Sequence, residues 1–130
     1  MQAAIASERE RAVGRMTTLS WSARVDAERL VLGAMMLYPP GFWRVLDSGL
    51  DASDFSVRSH RLVFEAGLRL WKSAEPADVI MVTESLRERG ELSAVGGIDG
   101  VNRFTGCVPP VSDVDSALRI IKHILPVRPS

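Results

Sequence analysis

This chain has almost no cysteine, tyrosine or histidine, and no surplus of either charge. Cys107 is the sole cysteine in 130 residues, which excludes a disulfide framework and a cysteine-based zinc site. The two histidines, His60 and His123, lie far apart with no metal-ligand spacing around either. Lys and Arg together number 16, as do Asp and Glu, for a formal net charge of zero. A domain that binds nucleic acid strongly needs a cationic excess to displace counterions from phosphates. Direct DNA binding is therefore expected to be weak and salt-sensitive at best. No apolar run approaches the roughly 18 to 20 residues needed to span a bilayer. Glu8, Arg9, Glu10 and Arg11 stand where a secretion signal would have its apolar core. These absences point to a soluble, cytoplasmic domain, without a membrane partner.

What is present is helical periodicity. The chain is 46% hydrophobic, and a single domain of this length buries enough apolar surface to fold without metals or crosslinks. Residues 1–21 have little apolar pattern and read as a flexible N-terminal tail, a helix over 3–13 being the alternative. From Ser22 or Ala23 to Leu37, Ala27, Leu30, Val31, Ala34 and Leu37 recur at helical spacing. Leu32, Met35 and Met36 make that helix apolar nearly all round, as a central core helix should be. Pro39–Pro40 is expected to stop it. "GFWRVLDSGL" supplies about two turns, with Phe42, Val45 and Leu46 inward, and "DASDF" interrupts the pattern. The strongest helix covers 57–72, with Phe64, Leu68 and Trp71 on one stripe and Leu62, Val63, Ala66 and Leu70 beside it. Asp78 is a plausible N-cap for a helix over 79–89. Further helices are expected over 97–107 and 112–125, and 126–130 reads as a C-terminal tail. No stretch alternates with the two-residue period of a half-buried strand. The expected fold is all-α, a small bundle of five to six short helices joined by short loops, with antiparallel neighbours.

No segment carries a catalytic pattern. "ELSAVGGIDGVN", Glu91 to Asn102, concentrates glycine, but it lacks the lysine and hydroxyl of a phosphate loop and follows no strand. Gly96 and Gly97 are better read as a turn between helices. His60 could act as a general base only with a carboxylate in a cleft, Asp54 and Glu65 being near in sequence. Local packing or bonding at a helix start is the favoured reading. Cys107 reads as a small buried residue, and Asp113 and Asp115 as acids favoured in a first helical turn. Trp21, Trp43 and Trp71 lack interleaved basic residues and read as core or interface anchors.

The order of the segments is more specific than any one of them. "DAERLVLGAMML", "DFSVRSHRLVFEA", "EPADVIMVTESLRERGELSAVGG" and "VPPVSDVDSALRIIKHI" follow in turn. Together they resemble the N-terminal domain of DnaB-type replicative DNA helicases, over about residues 24–125. Asp26, Ala27, Glu28, Leu32 and Gly33 match that family's opening helix. Asp54, Phe55, His60, Arg61, Val63 and Phe64 match its D-F-x-x-x-x-H-R-x-[IV]-F block. Pro76, Asp78, Leu86, Gly90, Leu92, Gly96 and Gly97 match its Pro-x-Asp helix and the Gly-Gly pair beyond. The chain departs from the pattern at Gly100, Val101 and Asn102, where the family favours an aromatic-Leu pair.

The resemblance implies a helical domain over 22–125 whose motif residues Asp26, Glu28, Gly33, Asp54, Phe55, His60, Arg61, Phe64, Asp78, Gly96 and Gly97 are structural. It implies pairing of copies into the collar of a hexameric ring, and contact with primase and the helicase loader. ATP hydrolysis would belong to a separate RecA-like domain, so this chain is expected to have neither catalytic residues nor cofactors. Val114, Leu118, Ile121 and Leu125 form an apolar line on the last helix and are the candidate partner interface. Two settings stay open: a domain of a full helicase, or a stand-alone phage or plasmid adaptor or decoy that binds a host helicase, primase or loader.

Overall fold

The computed structural model describes residues 21–37, 39–106 and 111–123, and within them every regular element is helical. The expected tails, apart from Trp21, which is already helical, together with the alternative helix over 3–13, Cys107 and Leu125, lie outside the described residues. The first helix, α1, covers 21–37 and is wrapped by its neighbours. Ala27, Val31, Leu32, Ala34, Met35 and Met36 are all buried, as its all-round apolar character requires. Burying side chains of this kind contributes about 1.5–3 kcal/mol for each larger one. The second helix, α2, spans Pro39–Asp47 and packs inward through Phe42 and Val45. Its prolines therefore open a helix. At a first turn the missing N–H has no intrahelical partner to lose, and the fixed φ suits the helix.

A single 3₁₀ turn, Ala52–Asp54, follows, fixed by a capping box between Asp51 and Asp54. The third helix, α3, runs Arg58–Lys72, with Leu62, Val63, Phe64, Ala66 and Leu70 buried. Asp78 caps α4 (Val79–Glu88) by accepting from the Met81 N–H at 2.9 Å. Between α4 and α5 (Gly97–Asn102) the chain makes a 3₁₀ turn, Ser93–Val95. It then passes through Gly96 and Gly97 at φ of 92° and 72°. Successive left-handed residues are costly for any side chain with a Cβ, so the Gly-Gly pair is a demand of the turn. α5 is shorter than expected and gives way to a 3₁₀ turn at Arg103–Thr105. Val101, at the departure from the family pattern, is fully buried. The last helix, α6, is Val111–His123.

Contacts between elements fix the directions of the helices. Arg69 on α3 reaches Ser85 on α4 at 3.0 Å, while Ser73 and Met81 line one groove. This consecutive pair is antiparallel, as expected. α1 and α3 run the same way, because Glu28 meets His60 and Met35 lies against Gly67. α2 and α6 also run the same way, with Arg44 paired to Asp115 and Lys122 bonded to the Ser48 carbonyl. Antiparallel packing thus holds for α3 and α4, while the pairs distant in sequence, α1 with α3 and α2 with α6, are parallel.

Candidate functional site

Two of the matched motif residues, Glu28 and His60, meet in a buried polar cluster centred on the Glu28 carboxylate. Glu28 is 0% exposed. One of its oxygens accepts from the Ser56 backbone N–H at 3.0 Å and the Ser56 hydroxyl at 2.6 Å. The other lies 2.8 Å from His60 Nδ1. Arg24, one helical turn earlier on α1, places its Nε 3.3 Å from the same carboxylate. The rest of its guanidinium donates to the Ile121 carbonyl at 2.7 Å and to the Asp54 carbonyl. Arg24 and His60 are themselves 5% and 4% exposed. Four segments therefore meet at one carboxylate: α1, the residues after the 3₁₀ turn, the first turn of α3 and the last turn of α6.

Burial alone would raise the pKa of Glu28. The hydrogen bonds from His60 and Ser56, and the attraction of His60, outweigh that and hold it below the ordinary carboxylate value. A carboxylate bonded to an imidazole has the composition of a general-base pair. Here both groups are sealed, and neither lines any of the surface grooves described below. The arrangement can fasten helices, and it offers a substrate no approach. Among the described residues, no three His, Cys, Asp or Glu side chains are grouped to hold a metal.

The partner of His60 corrects the sequence expectation. The imidazole bonds neither Asp54 nor Glu65, the carboxylates near in sequence, but Glu28, 32 positions away. Asp54 serves instead in its own capping box, its side chain accepting from the Asp51 N–H at 2.8 Å. Arg61 donates to the Phe55 carbonyl at 3.0 Å, and the Phe55 and Phe64 rings sit 4.9 Å apart in the core. Gly33 lies against the Phe104 backbone, where a Cβ would come within 2.2 Å of the carbonyl oxygen. Asp26 is exposed on α1 and lines shallow grooves beside Leu30, outside the clasp. Asp78, Gly96 and Gly97 act at the helix ends already described. Arg24 and Ser56 belong to the clasp and were not singled out in the sequence. The (i, i+4) spacing of Arg24 to Glu28 is the one local signal that points to either.

The candidate partner interface also needs correction. Val114, Leu118 and Ile121 are buried within the chain's own core, together with Ala117. The described part of the apolar line of α6 is used in the fold, where α6 covers α1 and α2, and Ile120 beside it is half-exposed. Asp115, expected to serve the helix dipole, pairs with Arg44 at 2.7 Å through both oxygens. The exposed apolar side chains lie elsewhere. Trp43 is 60% exposed, and Leu37, Trp71, Ile80 and Ile98 also reach the surface. Phe42 stacks on Trp71 at 5.1 Å, and Trp43 meets Trp71 edge-on at 4.9 Å.

Comparison with known proteins gives one consistent result. Residues 22–123 match the model of the DnaB-like helicase N terminal domain. The replicative DNA helicase DnaB of Leifsonia xyli subsp. xyli is 34% identical over 95 residues, 73% of this chain and 21% of that protein. The replicative DNA helicase DnaB of Geobacillus stearothermophilus is 31% identical over 99 residues, 76% of this chain and 22% of that protein. The chain thus spans about a fifth of the length of these curated relatives. The crystal structure of the N-terminal domain of DnaB helicase from Mycobacterium tuberculosis superposes with a TM-score of 0.70 at 32% identity. That alignment covers 75% of this chain and 69% of the other.

Proposed function

This chain belongs to the family of DnaB-like helicase N-terminal domains, and from that premise we propose that it is a non-catalytic assembly and partner-binding domain of a replicative DNA helicase. In this role, copies pair through helical faces into the collar of a hexameric ring, in the cytoplasm, and offer surfaces to primase and to the helicase loader. DNA contact is indirect or weak, in keeping with the zero net charge. Translocation and ATP hydrolysis fall to a motor domain of such a helicase. The observation that supports a non-catalytic role is the clasp itself. The motif residues best suited to acid–base chemistry, Glu28 and His60, are sealed and bonded within the fold.

The reading is tested in three measurements on the purified chain. Light scattering after size exclusion, at rising concentration, should show a dimer or larger species. A strict monomer at high concentration removes self-pairing. Calorimetric titration with the primase or the loader of the same organism should give saturable binding. Absence of binding to both removes the partner role. ATP turnover by the pure chain would overturn the non-catalytic assignment.

A further inference from the structure

At the C-terminal ends of α1 and α3 a groove of about 290 Å³ opens to solvent. Met36, Leu37, Phe42 and Trp71 give it apolar walls, and Glu75 and Asp78 stand in its lining as the only charged groups among the described residues. Arg44, the cation beside Trp43, is held by Asp115, and Lys72 lies outside the lining. Trp43 packs edge-on against Trp71 and stays largely exposed, leaving its ring accessible beside the groove. An indole face attracts a cation through its quadrupole. Two carboxylates and an open indole around an apolar slot favour a ligand that is apolar at its centre and cationic at its flanks. The chain as a whole is neutral, so this preference is local to the groove.

We propose that this groove seats a segment of another protein that inserts one large apolar side chain and flanks it with lysine or arginine. The proposal rests on the partner-binding part of the function above and gives that part a place and a chemistry. The probe is a tryptophan-free dodecapeptide of leucine and lysine, compared with the same peptide carrying glutamate for lysine. Calorimetry measures affinity, and the chain's tryptophan emission reports the site. The lysine peptide should bind saturably, shift the emission, and weaken as salt is added.

The expected losses are about threefold for Trp43→Ala and about tenfold for Trp43→Ala with Glu75→Gln. Ile98→Ala, an exposed apolar change outside this lining, should leave affinity unchanged. Glu75→Lys, at an exposed position, repeats the test should the tryptophan variant fold poorly. Equal binding of both peptides overturns the proposal, as does unchanged affinity in the double and Glu75→Lys variants. Self-association abolished by Trp43→Ala would assign the groove to a second copy. An emission shift on deleting 124–130 that disappears in Trp43→Ala would assign it to the chain's own terminus. Either result also overturns the proposal. Failure here leaves primase and loader binding by the whole chain to be measured separately, so the two readings fail independently.

Discussion

α1 and α3 run side by side in one direction, and their two ends are built on opposite principles. At their N-terminal ends the interior is polar, and Arg24, Glu28, Ser56 and His60 are closed over. At their C-terminal ends the polarity is reversed, and Phe42, Trp71 and Trp43 form a ladder that climbs from core to solvent. The matched motif marks the closed end. Of the matched residues, the open end carries Pro76 and Asp78, the latter used as a helix cap. A recognisable motif can therefore report how a domain is fastened, while its exposed aromatic rings, here Trp43 and Trp71, lie outside that motif.

The contrast can be broken most sharply at Glu28. Glu28→Ala leaves a guanidinium and an imidazole buried without their carboxylate, and should cost about 3–5 kcal/mol in a urea unfolding titration. That is a large part of the stability of a domain this size. A loss below about 1 kcal/mol would mean that the clasp is ornamental to the fold. Gly33→Ala tests the adjoining backbone approach. Its Cβ would lie 2.2 Å from a carbonyl oxygen that belongs to backbone and cannot swing aside. We expect about 1–3 kcal/mol, read the same way.

Acid probes the same carboxylate without removing its bulk. Because the folded pKa of Glu28 lies below its ordinary value, the carboxylate stabilises the fold fully above about pH 4.3. That contribution fades as pH falls through the lower, folded value. Thermal melts of the wild type should therefore decline below about pH 4 more steeply than those of Glu28→Gln. Parallel curves would remove Glu28 as the source. The open end should respond least. Trp43→Ala deletes a mostly exposed ring and one edge-on contact, and should lower stability by less than about 1 kcal/mol. If it proved as costly as Glu28→Ala, the two ends would not differ in kind.

Much of the fold could be read along the chain because helices announce themselves by local spacing. The apolar faces of α1 and α3, the cap at Asp78 and the Gly96–Gly97 turn all depend on residues within a turn or two of each other. The errors share the opposite property. The His60–Glu28 bond joins positions 32 apart, and nothing in the spacing near His60 distinguishes Glu28 from Asp54 or Glu65. The periodicity of α6 picked out Val114, Leu118 and Ile121 as apolar positions on one line, but periodicity does not say whether a partner or the chain itself covers them. Packing against α1 and α2 settled it for Val114, Leu118 and Ile121. The prolines at 39 and 40 were ambiguous for a similar reason. The same fixed φ that ends one helix is suited to beginning the next.

Arg24 has a mechanical consequence. Its guanidinium holds the Ile121 carbonyl on α6, and Lys122 holds the Ser48 carbonyl beside it. A pull applied beyond His123 would be transmitted through these two anchor points into α1 and the end of α2 before it reached the apolar contacts of Val114 and Leu118. The last turn of α6 is thus fastened at two points outside the apolar core, to α1 through Arg24 and to the end of α2 through Lys122.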